Sequence, residues 1–364
     1  MSTIYIVSDY GKLIKKGETL QLKRENDLLK TIFPFKTEHL IIMGNIEVTA
    51  SALRMLMHHN IDTVFLSGSG KFNGKLAFQT GKNVFLRQKQ FKLLENNEFK
   101  LNFAKTIAAA KMKNQLSFMQ RIGRKRDTEG RIDIATEKLK GTIRTLETAE
   151  NLDSARGYEG LGARHYFSIF RYSIIQDWAV FNGRSMHPPE DNVNAVLSFL
   201  YTMIFFRVDA ALETEGLDSY AGLFHTLDYG KRTLSFDLME EYRVVLGDML
   251  AVSLFNLNIL KPEDFEEVVF SEKSDDFPLQ IQETSEGESE LAEPVVYQEK
   301  RGVLLTKEGL RKVITQFEKK LDTPYFYAPL AKQITYKQLI HEQISHFKRV
   351  IMGEEREYKP LVIK

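Results

Sequence analysis

The spacing of apolar residues changes once along this chain, near residue 85, and that change restricts the fold more than any other feature. Before it, short runs rich in β-branched and aromatic residues follow one another. They are Ile4, Tyr5, Ile6 and Val7, then Leu13-Ile14, Thr19-Leu20-Gln21-Leu22, His39-Leu40-Ile41-Ile42 and Thr63-Val64-Phe65-Leu66. Such runs at short intervals predict strands. Ser8-Asp9-Tyr10-Gly11 reads as a turn cluster that ends the first strand. Asn73-Gly74, between Lys71-Phe72 and Lys75-Leu76-Ala77-Phe78, reads as a hairpin turn, because both turn positions need positive φ. One helix interrupts the strands, with Thr49 as its cap and Ala52, Leu53, Leu56 and Met57 as its apolar stripe.

From about Val84 the period becomes helical. Phe85, Gln88, Lys89 and Lys92 open a long polar-faced helix, and helical spacing continues near residues 103–118, 134–146, 192–212, 236–257 and 307–320. A chain of 364 residues is long enough for two domains. The expected fold class is therefore α+β, with an N-terminal β-rich domain over 1–85 and a larger all-α domain over 86–364. The apolar stretch 195–206 is broken by Ser198 and Thr202; it is short for a bilayer span and reads as a buried helix. The opening MSTIYIVSDYGK has no long apolar run, so no secretory signal is expected. The expected setting is the cytoplasm, with no membrane partner.

Charge is balanced, with 50 Lys+Arg against 49 Asp+Glu. The balance is uneven along the chain. Acids accumulate over residues 263–299, where Lys273 is the one base, and the Ser-rich part at about 271–293 lacks periodicity, which predicts an acidic loop. Setting that loop aside leaves a more basic body. Its basic groups concentrate at 87–92, at 105–113 and in Arg121-Ile122-Gly123-Arg124-Lys125-Arg126. Each cluster reads either as a solvated face or as part of a phosphate-tracking surface.

There are no cysteines, which removes thiolate nucleophiles, iron–sulfur clusters and thiolate zinc sites. Any metal must be held by carboxylate, imidazole or other oxygen ligands. Gly68-Ser69-Gly70-Lys71-Phe72-Asn73-Gly74-Lys75 has the wrong spacing for a P-loop and is followed by Leu76 where a hydroxyl is required. Three other segments carry chemistry. In Arg156-Gly157-Tyr158-Glu159-Gly160-Leu161-Gly162 three glycines surround one glutamate. Glycine disfavours a helix by about 1 kcal/mol relative to alanine, so three together imply close approach of a neighbouring helix or of a substrate backbone. The segment 216–225 ends in His225. The segment 234–243 places Asp237, Glu240 and Arg243 on one helical face, with Thr233 or Ser235 able to cap the helix. Two carboxylates and one imidazole suit Mg²⁺ or Mn²⁺. Residue types and spacing reach as far as metal-dependent phosphoryl transfer.

At these segments the chain resembles a known family, the CRISPR-associated adaptation integrases (the first-numbered Cas protein), which insert new spacers into CRISPR arrays. Met43-Gly44-Asn45-Ile46-Glu47-Val48-Thr49, Leu53 and Asn60-Ile61-Asp62-Thr63-Val64-Phe65-Leu66 resemble its N-terminal β domain. Tyr158-Glu159-Gly160, Phe181-Asn182-Gly183-Arg184, Pro188-Pro189-Glu190-Asp191, Asn194-Ala195-Val196-Leu197-Ser198-Phe199-Leu200-Tyr201, Gly216-Leu217-Asp218, His225 and Asp237-Leu238-Met239-Glu240-Glu241-Tyr242-Arg243 follow in the family's order.

The resemblance implies that Glu159, His225 and Glu240 are catalytic ligands of Mg²⁺ or Mn²⁺ and that Asp237 supports them. It implies a DNA-facing Arg243, with Arg184, Lys231 and Arg232 as further candidate DNA contacts; Asn194 matches a family position without a defined role. It also implies a homodimer joined through the N-terminal domain. The implied partners are double-stranded DNA with single-stranded ends and the small second-numbered Cas protein. The expected activity is metal-dependent endonuclease and integrase chemistry, in which a DNA 3′-hydroxyl attacks a phosphodiester. His225 as a proton shuttle is the alternative to His225 as a ligand. Two alternatives for the whole chain are a catalytically silent DNA-binding scaffold and a metal phosphodiesterase acting on small esters.

Overall fold

The computed structural model describes residues 2–68, 70, 72–76, 83–126, 130–186, 188–270 and 300–363. The expected acidic loop at 271–293 lies outside them. The chain divides into two compact units: Met1–Gln79 with Ser185–Ala195 and Glu263–Arg311, and Thr80–Arg184 with Val196–Pro262 and Lys312–Lys364. The sequence placed one boundary near 85. The first unit's N-terminal piece ends close to that point, but two later stretches cluster with the first unit.

The first unit opens with β1 (Ser2–Lys16), β2 (Thr19–Arg24), β3 (Asp27–Ile32), β4 (Thr37–Val48), the helix α1 (Ala50–His58), β5 (Asp62–Leu66) and β6 (Phe72–Lys75). These six strands form one sheet in the order β3-β2-β1-β4-β5-β6. β4 is parallel to both β1 and β5, and the remaining pairs are antiparallel. Ile6, Leu13, Leu20, Leu22, Ile32, Leu40 and Ile42 alternate onto one face and meet Ala52, Met55 and Leu56 of α1. The α1 stripe therefore uses Met55, while Met57 is exposed. Thr49 caps α1 as expected, its side chain accepting from Ala52 N.

Two turn expectations fail here. Ser8-Asp9-Tyr10-Gly11 does not end a strand; β1 runs through it with a bulge between Val7 and Tyr10. The bulge brings Ser8 against β4, where Gly44 has φ +103° and a Cβ would lie 1.9 Å from Ser8 O. Only glycine fits that approach. Asn73-Gly74 lies inside β6, with Gly74 opposite Phe65. The turn lies earlier, where Gly70 N donates to Ser67 O and Gly70 has φ +91°. Tertiary pairing overrides the local Asn-Gly preference.

The helical part begins with α2 (Val84–Leu94), α3 (Asn97–Arg126), α4 (Arg131–Leu146), α5 (Leu152–Phe170), α6 (Asn192–Glu215) and α7 (Thr233–Tyr242). A π-helical stretch, Arg243–Asp248, leads from α7 into α8 (Met249–Asn256). α6 has 24 residues, longer than the apolar stretch seen in the sequence. By length and composition it could cross a bilayer, but 94% of its most apolar stretch is buried inside the protein, as a core helix is.

The helical run is not unbroken. β7 (Phe265–Phe270) and β8 (Lys300–Leu305) pair antiparallel in the first unit, before α9 (Lys307–Leu321). In the second unit β9 (Pro324–Tyr327) and β10 (Lys332–Thr335) pair antiparallel before α10 (Tyr336–Met352). In the first unit Asp191 caps α6 by accepting from Asn194 N, and Asn194 Oδ1 accepts from Ser185 N. Asn194 is buried and structural in this arrangement.

Candidate active site

Three elements of the second unit bring the expected residues together. α5 starts on a capping box between Asn151 and Ser154 and carries Glu159. Its glycines divide the two readings that the sequence left open. A Cβ on Gly162 would lie 2.4 Å from Met112 Sδ of α3 and 3.2 Å from Leu139 Cδ1 of α4, so Gly162 serves a tight helix crossing. A Cβ on Gly157 or Gly160 would meet nothing within 4 Å. These two leave open backbone on either side of Glu159.

α7 is buried along its whole length and supplies Asp237 and Glu240. Its expected side-chain caps are absent. Thr233 Oγ1 accepts from Gly222 N and donates to Tyr220 O, and Ser235 donates to Asp209. Asp237 organises the loop that carries His225. Its Oδ2 accepts from Leu223 N at 2.6 Å and Phe224 N at 3.0 Å, and its Oδ1 accepts from His225 N at 2.9 Å. His225 Nδ1 lies 2.6 Å from the same Oδ1. A carboxylate accepts, so Nδ1 donates, and this fixes the ring with Nε2 on the side of Glu240. Nε2 lies 4.0 Å from Glu240 Oε1.

A residue that the sequence reading took for part of a surface basic cluster sits at the centre. Lys111 of α3 hydrogen-bonds Glu159, and its Nζ lies 2.7 Å from Glu240 Oε2. Lys111 and Glu240 are both buried. Glu240 Oε2 accepts no hydrogen bond, since the ammonium approaches it as an ion and not along an aligned N–H. Among the described residues no three His, Asp or Glu side chains are arranged to hold an ion as they stand. Glu240 nevertheless links the set: a cation, the ammonium, lies between its Oε2 and Glu159, and its Oε1 faces the imidazole Nε2. This donor set fits a hard divalent cation once the ammonium withdraws.

Arg243, the first residue of the π-helical stretch, lies 3.0 Å from Glu240 Oε1. A π turn widens the helix and is frequent at functional sites. The Arg243 guanidinium also lies over the Tyr201 ring at 4.7 Å, and Arg184 lies 5.3 Å from the same ring. Tyr201 donates to Asp248 Oδ1 at 2.5 Å, and Tyr166 of α5 donates to Oδ2 at 2.7 Å. Burial pushes the Asp248 carboxyl up to about 6, against the two hydrogen bonds that favour its charge. Glu241 points to another cluster, where it accepts from Tyr358, Gln343 and Leu361 N; burial raises it to about 7.

The family model described as "CRISPR associated protein Cas1" matches residues 4–271. The chain belongs to the Cas1 family. It is 28% identical over 366 residues to the "CRISPR-associated endonuclease Cas1 3" of Thermus thermophilus, covering 100% of this chain and 98% of that one. In fold it is similar to a chain of a Cas6-RT-Cas1–Cas2 complex, with TM-score 0.79 and 20% identity over 100% of this chain and 36% of that one. It is also similar to a casposase bound to its integration product, with TM-score 0.78 and 18% identity over 100% of this chain and 95% of that one.

The remaining candidate DNA contacts of this Cas1 family member serve the interior here. Arg243 pairs with Glu240, and Arg184 Nη1 and Nη2 each donate to Ser198 Oγ at 3.2 Å. Arg232 Nη1 lies 2.7 Å from the buried Asp209, whose charge raises the guanidinium's affinity for its proton although burial opposes this. Lys231 Nζ lies 5.7 Å from the centre of the Phe236 ring. Sequence reasoning missed Lys111, Asp209, Asp248 and the role of Tyr201. One signal was available for Lys111: it stands in Ile107-Ala108-Ala109-Ala110-Lys111-Met112, an apolar surrounding for a charge.

Proposed function

We propose that this chain is a DNA endonuclease and integrase of CRISPR adaptation, working with Mg²⁺ or Mn²⁺ at Glu159, His225 and Glu240. The observation that carries the reading is that Glu240 of α7 stands between the other two: its Oε2 shares the Lys111 ammonium with Glu159 of α5, and its Oε1 lies 4.0 Å from Nε2 of His225 in the loop. When bound, the divalent ion supplies Lewis-acid stabilisation of charge on phosphoryl oxygens.

The chain's own residues do the rest. Asp237 accepts from His225 Nδ1 and so turns Nε2, the nitrogen that would bind the ion, towards Glu240. Arg243 and Arg184 both pack against the Tyr201 ring, and Arg243 also pairs with Glu240, which ties that carboxylate to the ring. Gly160, next to Glu159 in α5, adds no side chain at an open stretch of the helix surface, which leaves room for a sugar–phosphate backbone. A DNA 3′-hydroxyl is the nucleophile in strand transfer and water is the nucleophile in hydrolysis, so no protein nucleophile is needed. The reading includes double-stranded DNA with single-stranded ends, a second copy of the chain joined through the N-terminal unit, and the small second-numbered Cas protein as partners. The likeness in fold to a chain of a Cas6-RT-Cas1–Cas2 complex supports the last of these.

The test is strand transfer into supercoiled plasmid by the purified chain with its Cas2 partner, in Mn²⁺ or Mg²⁺ and in EDTA. Activity is expected with metal and absent in EDTA, and Glu240→Ala should abolish transfer while retaining most DNA binding. Wild-type protein that binds DNA but shows no metal-dependent activity would make the chain a scaffold. Preference for a small chromogenic phosphodiester over plasmid would make it a phosphodiesterase of small esters.

A further inference from the structure

The loop that follows His225 holds a side chain that packing does not use. Residues 226–230 are all exposed, and Tyr229 has a relative accessibility of 103%, the full surface of a free tyrosine. Such a ring gains nothing from folding. Yet the backbone beneath it is closely held. Lys231 N donates to Asp228 O at 3.1 Å, and Gly230 has φ +77°. A four-residue turn with a left-handed glycine in its third position matches a type II turn, with Tyr229 in the second position. Tyr229 N donates to Asp228 Oδ1 at 2.8 Å, which turns that carboxylate onto the backbone.

The foot of the loop is anchored as well. Lys231 O accepts from Thr233 N, Lys231 Nζ lies 5.7 Å from the centre of the Phe236 ring, and Arg232 pairs with Asp209. An exposed aromatic ring on a braced turn is a preorganised contact.

Tyr229 stands four positions after His225, so their Cα atoms are at most about 14 Å apart. The two side chains add to that span, and stacked nucleotides rise about 3.4 Å per strand position, so the ring lies within several nucleotides of the His225–Glu240 centre. We propose that Tyr229 is a stacking post for an unpaired base at the strand end of a DNA substrate, beside that centre. The inference rests on the nuclease and integrase reading above. A base is the fitting occupant because the ring is uncharged and broad, and every base offers a π-face to it.

The test uses duplex DNA with a 3′ single-stranded end carrying 2-aminopurine at successive overhang positions, with the full chain in EDTA. Wild type is expected to quench the fluorescence at one or two positions. Tyr229→Ala should abolish the quench and weaken binding of the overhang substrate about tenfold while shifting blunt duplex less than twofold. Tyr229→Phe should retain both quench and affinity.

Absence of any quench in wild type that binds the DNA overturns the inference, and this outcome needs no variant to fold. Equal weakening of blunt and overhang DNA by Tyr229→Ala overturns it too, as does a defect confined to binding of the small Cas protein. The assay contains no metal, so it fails independently of the parent reading. A chain that stacks the base but transfers no strand keeps this inference and loses the other.

Discussion

The Lys111 ammonium lies 2.7 Å from Oε2 of Glu240, inside the protein, and joins it to Glu159. This one amine compensates two carboxylates that must otherwise repel each other. Under the proposed function the same two carboxylates would hold the divalent ion, so the ammonium and the ion would compete for them.

Lys111→Met is therefore expected to act with opposite signs in two conditions. Without metal, two carboxylates lose their partner and the protein loses about 3 kcal/mol. With Mn²⁺, the rise in melting temperature should exceed that of wild type, because no amine has to be displaced. Calorimetry of both proteins with and without Mn²⁺ checks this. An unchanged metal increment would remove Lys111 from the account.

Asp237→Asn replaces a carboxylate that accepts from Leu223 N, Phe224 N, His225 N and the imidazole. An amide offers one oxygen and sets two donors against donors. Thermal unfolding should report a loss of about 2–4 kcal/mol. The orientation of His225 should go with it, and strand transfer should fall further than the residual folded fraction explains. A variant as stable and as active as wild type would show that the loop holds His225 without this carboxylate.

The two kinds of glycine in α5 should separate stability from function. Gly160→Ala meets open space and should leave stability equal or higher, by up to about 1 kcal/mol, through helix propensity. Its DNA affinity should fall as the methyl group narrows the approach to Glu159. Gly162→Ala drives a Cβ to within 2.4 Å of Met112 Sδ in a buried crossing. It should lose about 1–3 kcal/mol with DNA affinity unaffected in the folded protein. Chemical denaturation and DNA binding on both variants decide the matter, and the same response from both would deny the distinction.

Asp248 sets a pH dependence. Its carboxyl rises from an ordinary 3.8 to about 6 when buried. The folded state thus holds the proton more tightly than the unfolded state, so this group's contribution to stability falls as pH rises from 3.8 to about 6 and is level above that. The change amounts to about 3 kcal/mol. Asp248→Asn lacks the proton, so the difference in stability between wild type and variant should shrink or reverse across that window. A difference that stays constant with pH would show that Asp248 does not titrate there.

Much of the site was legible in the sequence because its chemistry is carried by short, local patterns. Glu159 among glycines, His225, and Asp237 with Glu240 on one helical face were each visible, and so was the change from strand to helix near residue 85. Lys111 was not, because a lysine in a helical run looks like part of a solvated face until the helix is oriented. The strand ends failed for a related reason. Whether Ser8 to Gly11 turns or bulges depends on Gly44 of β4, and whether Asn73-Gly74 turns depends on its pairing with β5. The β7–β8 pair joins residues 30 to 40 positions apart, a separation at which local propensity says nothing.

Residue types and their periodicity alone determined the β-then-α order, the absence of thiolate chemistry and the carboxylate and imidazole character of the candidate site. These follow from intrinsic propensity and side-chain chemistry, which a residue carries wherever it stands. Tertiary structure alone decided which charges meet inside. Lys111 reaches Glu159 and Glu240, Asp237 ties down His225, and Asp248 gathers Tyr166 and Tyr201, since a buried charge must find its partner in space and sequence distance does not restrict the choice.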